Sequence, residues 1–178
     1  VGVSLVAFIV RTTRPHVAVL GRLPNSEEYR NLKNYPDAVP TPGVLALRID
    51  AQFYFGNVTF LKDTLRSLEL AMDEPLRAVV LDATSINQLD SSAESALAEL
   101  FAAYRERGVR FVIAGVKGPV REVMERSGLW QKLGERGHAL RVHDAMALAT
   151  SAEPDPEVDE RGAKKEPTTH AKPHAVPT

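Results

Sequence analysis

No cysteine occurs in the 178 residues, which excludes disulfides, cysteine-based zinc sites and thiol catalysis. Net charge is also scarce, at −1 overall, so the chain lacks the clustered basic footprint of a nucleic-acid binder. Aromatic residues contribute only 6%. The phosphate-cradling G-x-x-x-x-G-K-[ST], the dinucleotide G-x-G-x-x-G and the nucleophile elbow G-x-S-x-G are all missing. Nucleotide hydrolases, dinucleotide enzymes and α/β-hydrolases therefore have no support in the sequence. There is no long hydrophobic run either. The longest uncharged opening, Val1 to Val10, would rise about 15 Å as a helix, roughly half of a ~30 Å hydrocarbon core. It can be a buried strand or the end of a spanning helix, and its physics leaves both open.

What is present is the composition of a globular domain, with 44% hydrophobic and 25% charged residues. A chain of this length can bury a core without covalent staples. From Ser151 onward the composition changes to five prolines, mixed charges and no aromatic. Such a segment cannot bury enough surface to offset its ordering entropy, and a disordered tail is expected over 151–178. His170 and His174 stand four apart there, but Pro173 between them opposes the helix that a metal pair would need.

Strand and helix patterns alternate through the middle. HVAVLG, VLALRID, RAVVLD and VRFVIAGV read as strands, with a last one near Ala139 to Val142. Val58, Leu61, Leu65, Leu68 and Met72 step by three and four, which predicts a helix capped by Asn57 and ended by Pro75. Ala93, Ala96, Leu97, Leu100, Phe101 and Tyr104 predict a second helix, with Gly108 as its stop. PVREVMERSG and Asp144 to Thr150 predict two shorter ones. The succession implies an α/β domain with a mixed, partly parallel sheet of four to five strands. Residues 22–43 form an unusually long connection with four prolines; a helical turn capped by Ser26 is the one element expected inside it.

Chemistry points to LDATSINQLDSSAESA. Asp82 ends a strand and Asp90, Ser91 and Ser92 stand where the next helix begins, at the edge where α/β sheets place their sites. Free amides at a helix start favour an anion, and a phosphorylated serine would add about −1.5 to −2 of charge there. The plain alternative is a capping box formed by Ser91 and Glu94. GVKGP resembles a phosphate loop only as far as any Gly-Pro turn before a helix does. His16, His138 and His143 lack metal-ligand spacing, and Phe53 to Phe55 suit packing better than stacking.

RPHVAVLGRLPNSEEYRNLKNYPDA, PGVLALRIDAQFYFGNVTFLKDTL and LDATSINQLDSSAESAL together resemble the C-terminal STAS domain of SulP-family anion transporters. The resemblance covers Arg14 to Thr150 and includes the long Y-R…Y-P loop. It implies a STAS domain over 14–150, preceded over 1–13 by the end of a transmembrane helix with Arg11 and Arg14 at the inner interface, in keeping with the positive-inside tendency. It also implies a cytosolic regulatory and assembly module of a sulfate, bicarbonate, chloride or dicarboxylate transporter in the cell's plasma membrane. That module performs no catalysis. Its expected partners are its own membrane domain, a second protomer and a cytosolic regulatory protein. A soluble anti-sigma factor antagonist is the other STAS type, with Ser92 as phosphoacceptor in an Asp-Ser-Ser-Gly motif. Asp90, Ser91 and Ser92 match that motif, whereas Ala93 replaces its glycine and Glu94 sets a like charge beside the phosphate position. Guanine nucleotide is the cofactor that the resemblance leaves open, at Asn57, Asp82, Ser91 and Ser92.

Overall fold

The computed structural model describes residues 16–50 and 55–152. The expected membrane stub, Phe53, Tyr54 and the tail beyond Ala152, with its two histidines, lie outside them. Six strands form one sheet in the order β2-β1-β3-β4-β5-β6. They are β1 (His16–Arg22), β2 (Tyr29–Asn31), β3 (Val44–Asp50), β4 (Ala78–Asp82), β5 (Arg110–Ala114) and β6 (His138–Ala139). β3 to β6 are parallel, and β1 runs antiparallel to both β3 and β2. The helices are α1 (Phe55–Leu70), α2 (Ser91–Glu106), α3 (Gly118–Arg126), α4 (Leu129–Leu133) and α5 (Val142–Thr150).

Strand alternation divides the core. Leu45, Leu47, Ile49, Val79, Leu81, Phe111 and Ile113 point to one face and pack on α1 to α4. Their neighbours Val44, Ala46, Ala78, Val80, Val112 and Ala114 point to the other, where α5 supplies Ala145, Met146 and Ala149. The first four residues of β4, Ala78 to Leu81, are fully buried, as expected of a parallel strand covered on both faces.

Several expectations shift. The long connection contains a strand where a helical turn was expected, because β2 pairs with the end of β1 through Leu20–Asn31, Gly21–Arg30 and Arg22–Tyr29. Ser26 caps no helix: its Oγ accepts from the Glu28 amide at 3.0 Å, a local turn. The helical turn comes later, where the Asn34 and Tyr35 amides donate to the Asn31 carbonyl. Gly21 lets this connection lie down, since a Cβ there would stand 2.4 Å from Leu32 Cδ2 and 3.0 Å from the Val39 backbone. α1 begins two residues before Asn57, which sits inside its first turn, and ends at Leu70, before Met72. The last strand closes at Ala139, and Val142 already belongs to α5. α4 adds a short helix after Gly128, whose φ of +80° allows the tight change of direction.

No helix among the described residues is long and apolar enough to cross a membrane.

Candidate functional site

β3, β4 and β5 all end at one edge of the sheet, and the loops leaving that edge carry the polar residues. Asp82 closes β4 and is only 6% exposed. Its Oδ1 accepts from the Thr84 amide at 3.0 Å and from Thr84 Oγ1 at 2.7 Å, so the carboxylate shapes the first turn of the 83–90 loop. Gly115, at the end of β5 with φ +67°, passes directly beside Thr84; a Cβ there would meet Thr84 Cγ2 at 2.4 Å. The loop must therefore pack against bare backbone.

Asp90 ends the same loop. It is the N-cap of α2: its Oδ1 accepts from the Ala93 amide at 2.6 Å, with φ −83° and ψ 164°. This corrects the expected capping box. Ser91 is the first helical residue rather than the cap, and Glu94, its supposed partner, is buried at 9% exposure. A carboxylate wins over the hydroxyl because its charge complements the helix dipole as well as the free amide. Ser91 and Ser92 are left exposed on the first turn.

Asn57, by contrast, is 1% exposed in the first turn of α1. The candidate residues thus share an edge but not an exposure. Ser91 and Ser92 face outward, whereas Asp82 and Asn57 are sunk into the fold.

A second polar cluster at this edge was not among the expected residues. Asp50 closes β3 as Asp82 closes β4. It accepts from Arg48 Nε at 2.9 Å and Ser85 Oγ at 3.0 Å, and His16 Nδ1 lies 3.3 Å from its other oxygen. Burial pushes the Asp50 carboxyl up, but the hydrogen bonds from Arg48 and Ser85, the Arg48 charge and the His16 contact outweigh it. The group sits below its ordinary value. Lys117, in the GVKGP turn, donates to Asn87 Oδ1 at 2.6 Å. That lysine is tied to the 83–90 loop, and Pro119 occupies the first turn of α3 as helix starts often require. The signal for Asp50 was available: RID ends in an acid at the C-terminal end of a parallel strand, which is the rule that singled out Asp82.

The histidines are scattered over separate elements. His138 stacks on Trp130 at 4.1 Å between centroids, and Arg121 lies 4.9 Å from the same ring. Burial and the Arg121 charge hold the His138 imidazole below its ordinary pKa against a smaller opposing pull from Glu135. His143 Nε2 lies 3.8 Å from Glu27. Elsewhere, a groove of roughly 600 Å³ opens between α1 and α2. It is bridged by Lys62–Glu99 at 3.3 Å and by Arg107–Glu69.

Residues 35–145 match the STAS domain family. Among curated relatives, the probable sulfate transporter 4.2 of Arabidopsis thaliana is 38% identical over 157 residues, which is 83% of this chain and 23% of the relative. The chain spans about a quarter of the length of the curated relatives it matches. The murine solute carrier 26 family member A9 anion transporter, solved in its inward-facing state, superposes with a TM-score of 0.73 at 20% identity. That likeness covers 84% of this chain and 24% of the transporter. A sulfate transporter family protein from Wolinella succinogenes superposes at 0.54 with 22% identity, over 67% of this chain and 95% of that one. At such identities the two structures establish the fold. With most of its folded residues inside the matched segment, the chain belongs to the STAS domain family.

Proposed function

We propose that the chain is the cytoplasmic regulatory and assembly domain of a secondary anion transporter of the sulfate, bicarbonate, chloride or dicarboxylate class, without catalysis of its own. The observation that carries this reading is the lopsided match to a sulfate transporter, which takes in 83% of this chain but 23% of the relative. Such a share fits a module appended to a much larger transport machine. Residues 1–13 then form the end of its last membrane helix, 14–150 the STAS domain, and the transported anion is chosen in the membrane region. A homodimer and a cytosolic regulatory protein complete the proposed assembly, which sits at the plasma membrane. Determining the sequence encoded upstream of Val1 tests the reading: several spanning helices are expected, and an initiating methionine directly before Val1 would overturn it.

The exposure of Ser91 and Ser92 favours a second reading, a phosphoswitch of the anti-sigma factor antagonist type with Ser92 as acceptor. Helix amides nearby favour the phosphate, and Asp90 and Glu94 oppose it by like charge. In the transporter reading, Ser92→Asp is expected to leave the fold intact and to lower anion uptake in vesicles; unchanged uptake removes the switch. Guanine nucleotide binding at the same edge, near Asn57, Asp82, Ser91 and Ser92, is tested by isothermal titration with GDP and GTP. An absence of heat at millimolar nucleotide disposes of it.

A further inference from the structure

The chain leaves the domain beside the mouth of the groove between α1 and α2. Arg110, the first residue of β5, donates through Nη1 to the Leu148 carbonyl at 2.6 Å and to the Ser151 carbonyl at 3.1 Å. Arg136, just before β6, donates to Ser151 Oγ. Ser151 is thereby held at the edge where the parallel strands begin. α1 and α2 each follow a parallel strand, so both run back to that same edge. Arg107, at the end of α2, is three residues from Arg110, which keeps their backbones within about 11 Å. The groove opens here, between Arg107 and Leu70, and extends two helical turns, about 10 Å, to Lys62.

Its lining is of two kinds. Leu70, Leu100, Ala103 and Tyr104 supply apolar surface, and Leu70 is 80% exposed. Lys62, Arg66 and Arg107 stand along the rims with two acids, Glu69 and Glu99. Those acids are engaged by Arg107 and Lys62. Arg66 is exposed and makes no ion pair among the described residues.

Directly after the exit the sequence reads EPDPEVDE over 153–160. Acidic and apolar residues alternate, with Glu153, Asp155, Glu157 and Asp159 set against Pro154, Pro156 and Val158. Drawn out, such a segment carries carboxylates on one side and apolar surface on the other, and its prolines bias it toward that extended form. We propose that residues 153–160 fold back into the groove between α1 and α2 as an intramolecular cover. Pro154, Pro156 and Val158 then rest on the apolar lining around Leu70 and Ala103, and the carboxylates meet Arg107, Arg66 and Lys62 in turn. Residues 152–160 reach about 28 Å at the ~3.1 Å per residue of an extended proline-rich chain, which is enough to round the sheet edge and run the length of the groove. A segment that buries too little surface to order by itself can order against a preformed one. The inference stands whether or not a membrane region is attached.

The absence of cysteine from these 178 residues makes a placement experiment direct. In the 178-residue chain, Val158→Cys is combined with either Ala103→Cys in the groove or Ala147→Cys on α5, and each pair is treated with a short bismaleimide. Ala103 and Ala147 are both exposed, and Ala147 is the nearer to the tail along the chain. An unattached tail would therefore join Ala147→Cys at least as readily. The Ala103 pair is expected to give the intramolecular cross-link, identified by mass spectrometry of the joined peptides, in several-fold higher yield. Neutralising the segment with Glu153→Gln, Asp155→Asn, Glu157→Gln and Asp159→Asn is expected to erase that preference. Equal or reversed yields from the two pairs overturn the proposal. So do links from Ala103 that form only between molecules, which would make a second copy the occupant, and a preference that survives neutralisation.

Discussion

The two faces of the sheet are built on different scales. One face is lined by Leu47, Leu81, Phe111 and Ile113 and is covered by four helices. The other is lined by Ala18, Ala46, Ala78 and Ala114 interleaved with Leu20, Val44, Val80 and Val112, and is covered by α5, which adds Ala145, Met146 and Ala149. A large residue fills the space between a sheet and helices that stand well off it; alanine lets a single helix come close. The first face gains its stability from buried volume. The second gains it from fit, and tolerates added volume poorly.

The largest test of that contrast is Leu81→Ala, which opens a cavity under α1 and α2 and is expected to cost about 2–5 kcal/mol in urea unfolding. Ala114→Leu probes the other face, with an expected loss of about 1–3 kcal/mol from overpacking. A neutral result would mean that α5 stands farther from the sheet than its alanines imply. Asp90→Ala is next, at about 1 kcal/mol for a lost N-cap. Ser91→Ala should fall within about 0.5 kcal/mol, as surface changes do; the reverse order would return the cap to Ser91. The smallest effect is with pH. His138 has a lowered pKa in the folded state, so its contribution is complete above the unfolded value of about 6.5 and is lost as pH falls through that region. Melting temperature should therefore drop from pH 7 to pH 5, and less so in His138→Phe. Asp50, also lowered, adds a similar loss only below about pH 4.

The large-residue face was the more legible in the sequence. Leu61, Leu65 and Leu68, or Leu97, Leu100 and Phe101, repeat at helical spacing long enough for periodicity to speak, and the four longer strands are runs of apolar residues bounded by turns. What could not be read was short or contested. β2 has three residues and no pattern of its own; it exists because β1 offers an edge and Gly21 leaves room for Leu32. The cap of α2 was read as Ser91, one residue beyond the true cap Asp90, and one residue of shift decides which hydroxyls face solvent. Asn57 was misplaced for the same reason, since a helix start two residues earlier turns a cap into a buried first-turn side chain. Asp82 and Asp90 were singled out by position alone. Their hydrogen bonds to Thr84 and Ala93 show that position alone does not separate a residue that shapes a loop from one that meets a ligand.

Both outer strands of the sheet are very short, three residues in β2 and two in β6. Unpaired backbone at a sheet margin is what lets copies of a protein zip together strand by strand. Here a neighbour would find only a few backbone positions to join before the chain turns away into a loop. Crowding of many copies therefore carries little risk of runaway sheet growth, and stable pairing of two copies has to be written in side chains.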